Sequence, residues 1–292
     1  MTKNELKEKI EEFCEKERLD EKSSKTVVDY KNCLNKFYEY IDNDKIEFTK
    51  EFTIKYKLYL KDQLESGQAK VSSINKYVVV FNKFLKYLDE DYKKITIKQF
   101  RTQQKSSLEN QMSNQEHKRM LRKAKELGKE ELYMIIKTFA QTAIRISELR
   151  YFTVENIKKG PYIDIYSKGK ERKIILIGDL HRSLKKYCKE NNITEGFIFR
   201  SPDPKLSSNP NKMINQSTIW RWLKKIAKKA KINSKKMHPH AWRHLFAKQC
   251  KATGIDLDEL ADILGHKNLN TTAIYTKTSM KEKKNKLERI RY

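Results

Sequence analysis

A chain of 292 residues is long enough for two compact domains, each with a core that needs no disulfide or metal to hold it. Lys and Arg number 64 against 38 Asp and Glu, and the formal charge of +26 points to a polyanionic partner. Cys14, Cys33, Cys188 and Cys250 form no CxxC pair, which argues against a zinc knuckle or a disulfide framework and for reduced, buried thiols. No apolar run is long enough to span a membrane and the opening MTKNELKEKIEEFCEKER is too charged for a secretory signal, so a soluble, cytoplasmic protein is expected.

The first ninety residues predict four amphipathic helices, near 3–18, 23–42, 50–65 and 72–89. Val27, Tyr30, Leu34, Phe37 and Ile41 recur at helical spacing in the second; Ile74, Tyr77, Val78, Phe81, Leu85 and Leu88 do so in the fourth. Ser23 and Ser72 are candidate N-caps, and Gly67 closes the third helix. Residues 1–90 therefore read as a helical domain, and the polar, weakly periodic stretch 91–111 as a linker.

The second domain, 112–292, opens with a capping box of Ser113 and Glu116 on a helix that Gly128 terminates. A helix over 129–141 follows, after which TAIRISEL breaks the pattern and restarts it, with Ser147 a candidate N-cap. The period then falls from 3.6 to two: 162–167 and 172–177, separated by KGKE, predict a β-hairpin. Helix returns at 179–190, and 200–214 holds three of the five prolines and reads as a surface loop. Beyond it lie a helix over 216–231, helices near 240–252, 256–264 and 270–276, and a charged tail. The fold class expected is mainly α with a small antiparallel β-sheet.

Four pieces of this second domain carry related chemistry: Arg145, Lys168 at the hairpin turn, His240 with Arg243, and His266 with Tyr275. Taken singly each is unremarkable in so basic a chain. Together they suit phosphoryl transfer, because a pentacoordinate phosphate gathers negative charge that guanidinium groups hold bidentately, with no metal required. His240 and Arg243 at i, i+3 would share one helix face. A phenol with an ordinary pKa near 10 needs a base such as imidazole to attack, and a leaving 5′ oxygen needs a proton such as an ammonium supplies. The competing use of the histidines is a metal site, since His240 and His244 are spaced i, i+4 with His238 nearby; the Glu of HExxH is absent, and neither metal nor cofactor is expected.

The order Arg145, Lys168, His240-x-x-Arg243, LGH at 264–266 and Tyr275 resembles the tyrosine recombinase (phage integrase) family, closely over residues 112–278. The helical amino-terminal region resembles that family's core-binding domain only in size and helix content. The resemblance implies two phosphate-clamping arginines in Arg145 and Arg243, a general acid in Lys168, a proton acceptor in His240, a phosphate hydrogen-bond donor in His266 and a nucleophile in Tyr275. It also implies a 3′-phosphotyrosyl intermediate, a homodimer on an inverted-repeat duplex site and a homotetramer in synapsis. Departures from the family pattern are Ala143 and Ser167 where glycines are usual, and a shorter hairpin turn that lets Lys170 compete for the acid role.

In the helix 216–231 an apolar stripe of Ile219, Leu223, Ile226 and Ala230 is backed by Arg221, Lys224, Lys225, Lys228 and Lys229, the side expected to lie along DNA. Two other functions share these features: a type IB topoisomerase, which relaxes DNA as a monomer, and a DNA-binding protein with vestigial catalytic parts. The tail after Tyr275 is a candidate to dock on a neighbouring subunit.

Overall fold

Caps and apolar periodicity set the helices. The computed structural model describes residues 1–42, 45–88, 95–100, 111–166, 171–237, 240–266, 272 and 288, and the chain divides into two compact units, Met1–Gln104 and Lys105–Tyr292.

The first unit holds α1 (Lys3–Leu19), α2 (Ser24–Tyr40), α3 (Lys50–Glu65) and α4 (Val71–Leu88). Ser23 caps α2 through the Thr26 amide, and Gly67, at φ +73°, follows the last turn of α3. Ser72 is not an N-cap: α4 begins one residue earlier, at Val71, placing Ser72 inside the helix. The core is aromatic. Phe37 lies edge-on to Tyr56 at 4.9 Å between centroids and tilted against Phe81 at 4.7 Å. Glu17, buried on α1, is paired with Lys83 of α4, which ties these helices by charge as well as by packing.

Residues 95–100 lie in a stretch that is polar overall, yet they pack on this unit. Asn82 of α4 donates its Nδ2 to the Ile97 carbonyl (2.8 Å) and accepts the Ile97 amide (3.1 Å). Asn75, seven residues earlier and thus on the same face, repeats the pair with Phe100 at 2.9 and 2.8 Å. Each side-chain amide supplies the donor and acceptor that a neighbouring strand would, and Ile97 is buried as a result.

The second unit begins with α5 (Asn114–Glu126), opened by the reciprocal Ser113–Glu116 capping box, and α6 (Glu130–Thr142). Leu132, Met134, Ile135, Ile136, Thr138, Phe139, Ala140 and Thr142 bury α6 on most of its circumference. It packs against α5, α8 (Gly178–Glu190), α9 (Gln216–Lys229) and α10 (Ala241–Ala252). A 3-10 turn (Ile146–Tyr151) follows, capped from position 145 rather than by Ser147, which lies within the turn. Then comes α7 (Val154–Lys159), six residues too short to show a helical period in sequence. The hairpin pairs β1 (Tyr162–Tyr166) with β2 (Glu171–Ile175) antiparallel, Ile165 opposite Arg172 and Ile163 opposite Ile174; Ile163, Ile165 and Ile174 face the core. After α10 comes α11 (Leu257–Leu264), capped by Asp256 and ended by Gly265 at φ +65°. Among the described residues the fold is mainly α with one small antiparallel sheet. The expected helix 270–276 and the tail lie outside the described residues.

Candidate functional site

Arg145 stands where α6 stops. Ala143, wholly buried, turns left-handed at φ 50°, ψ 27°, the conformation its backbone would adopt more easily as glycine, and the chain leaves the helix there. Arg145 follows with its side chain 37% exposed. Glu148, buried to 1%, reaches back: its Oε2 accepts the Arg145 amide (2.7 Å) and its Oε1 the Arg145 Nη1 (2.8 Å). A third donor, Arg172 Nη2, lies 2.6 Å from Oε2. Burial pushes the Glu148 carboxyl upward, but Arg172 and the bonds from Arg145 more than reverse this, and it is held below the usual carboxylate range.

Arg172 lies on the inward side of β2, and its Nη1 donates to the Ile263 carbonyl at 2.8 Å. Its stem passes over Gly265: a Cβ there would stand 2.5 Å from Arg172 Cδ, so that turn needs glycine for close approach as well as for its positive φ.

Arg243 is among the largest fully buried side chains, 1% exposed on α10. Its Nη1 donates to the Ala143 carbonyl (2.7 Å) and its Nη2 to the Leu264 carbonyl (2.8 Å), the ends of α6 and α11. The same Nη2 lies 3.0 Å from His266 Nε2. A guanidinium only donates, so Nε2 accepts and the ring proton sits on Nδ1, directed at Thr272 Oγ1, 2.7 Å away. Burial and then the charges of Arg243, Arg145, Arg172 and His240 lower the His266 pKa from an ordinary 6.5 to about 4. One imidazole thus feels three arginines and a second histidine, and the pocket around it is strongly cationic.

His240 caps α10 from an exposed position, where its carbonyl accepts the His244 amide at 3.0 Å. It therefore precedes the helix rather than sharing a helical face with Arg243, and the two differ in setting, one open to solvent and the other interior. Trp242 is core, packed on Phe139. Lys168, Lys170 and Tyr275 lie outside the described residues. Among the described residues no group of His, Cys, Asp and Glu could hold a metal ion, and no helix is long and apolar enough to cross a membrane. All four cysteines are buried and free.

On α9, Arg221, Lys224, Lys225, Lys228 and Lys229 are exposed while Ile219, Leu223, Ile226 and Ala230 are buried, so the helix presents one basic face. Sequence reasoning missed Glu148, Arg172 and Thr272. For Glu148 the signal was its position three residues after Arg145, the spacing at which a carboxylate reaches back to a helix-start amide.

The family model described as "Phage integrase family" matches residues 88–282. The chain is 27% identical over 287 residues to tyrosine recombinase XerA of Pyrococcus horikoshii, covering 97% of this chain and 93% of the relative. It is 28% identical over 284 residues to a tyrosine recombinase of Thermosipho africanus, covering 89% and 91%. Among solved structures it is similar in fold to a lambda integrase dimer bound to a COC' core site, with a TM-score of 0.73 at 16% identity over 95% of this chain and 96% of that one.

Proposed function

The chain belongs to the phage integrase family and is a tyrosine recombinase, an enzyme that breaks and rejoins DNA at specific sites; from that premise we propose that Tyr275 is its nucleophile and that Arg145, Lys168, His240, Arg243 and His266 are its catalytic partners. The observation that supports this most is that Arg145, Arg172, Arg243 and His240, brought from three separate stretches of chain, all act on His266. Such a pocket suits a single phosphodiester anion.

In this reading the phenolic oxygen of Tyr275 attacks phosphorus while its proton passes to His240. The bond from phosphorus to the 5′ oxygen breaks as the 3′-phosphotyrosyl bond forms, and Lys168 delivers a proton to the departing oxygen. A 5′ hydroxyl of the partner strand then reverses the step. Because the covalent link retains the energy of the broken bond, ATP is not needed. His266 enters this cycle neutral, with Nε2 an acceptor. The incoming phosphate opposes the field of the arginines, raises the affinity of the ring for a second proton and so equips Nε2 to donate.

The amino-terminal unit would serve as the core-binding domain and the second as the catalytic domain, with Arg221, Lys224, Lys225 and Lys228 along the DNA backbone, two protomers on an inverted repeat and four in synapsis. The lambda integrase structures, with dimers on core sites and a tetramer on a Holliday junction, are in keeping with that stoichiometry. The test is a nicked duplex target: wild-type protein becomes covalently attached to DNA on a denaturing gel, and Tyr275→Phe binds without attachment. Adducts formed by Tyr275→Phe would refute the nucleophile. Relaxed plasmid circles without recombined product would favour a topoisomerase.

A further inference from the structure

We infer that Arg172 is a positioning residue for cleavage, acting through Arg145. One guanidinium joins three pieces of the site that are distant in sequence. Its Nη2 holds Glu148, which in turn fixes both the backbone amide and the guanidinium of Arg145. Its Nη1 holds the Ile263 carbonyl in the last turn of α11, and its stem covers Gly265, the residue before His266. Arg172 is itself anchored by β2, opposite Ile165.

The side chain is 12% exposed, against 37% for Arg145, so Arg172 is the interior member of the pair that shares Glu148 and Arg145 the one that meets solvent. Without Arg172, the buried Glu148 carboxylate has only Arg145 left among these ionic partners. It would draw that guanidinium inward, away from a bound phosphate, because a buried charge retains whichever counter-charge can reach it. The expected defect is therefore specific: weaker neutralisation of a non-bridging phosphate oxygen, with nucleophile and leaving group unaffected.

The inference rests on the recombinase reading, and the two fail differently. Wild-type adduct formation and its loss in Tyr275→Phe test the nucleophile; Arg172 is tested within an enzyme that cleaves. Single-turnover cleavage by the full chain at saturating DNA is measured on three versions of the scissile group: the natural phosphodiester, a methylphosphonate whose non-bridging position carries no charge, and a 5′-bridging phosphorothiolate whose sulfur leaves without a proton. Arg172→Ala is expected to cleave the phosphodiester roughly 100-fold more slowly than wild type, the scale of a misplaced catalytic group. The deficit should shrink to under about 10-fold on the methylphosphonate, as it should for Arg145→Ala, because the charge to be neutralised is gone. Arg172→Lys, which keeps the charge without the fork that bridges Glu148 and Ile263, should show the same selectivity at smaller amplitude and covers the case in which the alanine variant fails to fold. In a Glu148→Gln background, removal of Arg172 should add less than it does in wild type. Equal deficits on phosphodiester and methylphosphonate would reduce Arg172 to a structural role and overturn the inference. So would rescue confined to the phosphorothiolate, which would place its effect on the general acid instead.

Discussion

Replacement of Glu148 by Ala removes a carboxylate that is 1% exposed and accepts three donors, two from guanidinium groups. Arg145, at 37% side-chain exposure, recovers solvent when released, whereas Arg172, at 12%, is left with a charge it cannot fully hydrate. The loss should approach the cost of breaking a buried pair from one side, about 3 kcal/mol. For a unit of this size that is roughly 6–12 °C in Tm. Glu148→Gln keeps the shape and one accepting oxygen, and should lose about half as much. Trp220, Trp222 and Trp242 are the three tryptophans of the sequence and all lie in the second unit, so their fluorescence during urea unfolding reports that unit alone. The pH dependence supplies a second check. Because the folded pKa of Glu148 is lowered, its pairing stabilises fully above the unfolded value near 4.5, and that contribution is lost as pH falls through the folded value. Wild type and Glu148→Gln should therefore converge in acid. A loss under about 0.5 kcal/mol for Glu148→Ala at pH 7, the range of an ordinary surface change, would refute the reasoning, as would a wild-type-to-Gln gap that stays constant to low pH.

Ala143→Gly relieves left-handed strain of about 1–2 kcal/mol but gives up a buried methyl worth about 0.8 kcal/mol and loosens the unfolded chain by about 0.4–1 kcal/mol. Near-neutral stability is expected, and urea midpoints check it; Ala143→Val, β-branched in that conformation and pressed on Ala247 and Leu264, should lose more than about 2 kcal/mol. The His266 ring should titrate near pH 4 by NMR in DNA-free protein and at a higher pH with a bound duplex target, and an unchanged midpoint would refute this; His117, also lowered to about 4 by burial, is removed from the spectrum by His117→Gln. Asn82→Ala should raise the hydrogen exchange rate of the Ile97 amide by roughly tenfold or more, as expected where both bonds to one side chain vanish, and unchanged exchange would dismiss the clamp.

Where a feature depends on neighbours in sequence it was legible. The apolar stripes of α1 to α4, the Ser113–Glu116 box and the alternation of β1 and β2 all act within a few residues, and the structure has them. Ser72 and Ser147 misled because either could cap a helix by its chemistry; an earlier start at Val71 and a tight 3-10 turn at Ile146 put both inside their elements. Residues 95–100 looked like linker because their anchors, Asn75 and Asn82, are 15 to 25 residues away. Arg172 and Glu148 were hidden for a related reason. In a chain with 64 cationic residues a single arginine carries no signal, and its meaning comes only from the strand that turns it inward.

Arg243 and Arg145 are tethered by groups of different kinds. Arg145 is held by a carboxylate, which cancels charge and can be protonated. Arg243 donates to carbonyls at the ends of α6 and α11, dipoles that each present about half a negative charge and have no proton to gain. Those two contacts steady its interior cation through dipoles that do not titrate. Because the Glu148 carboxyl is held below the usual carboxylate range, the Arg145 tether loosens only once pH falls below that range, whereas the carbonyls that hold Arg243 have no proton to take up, so one half of the clamp outlasts the other.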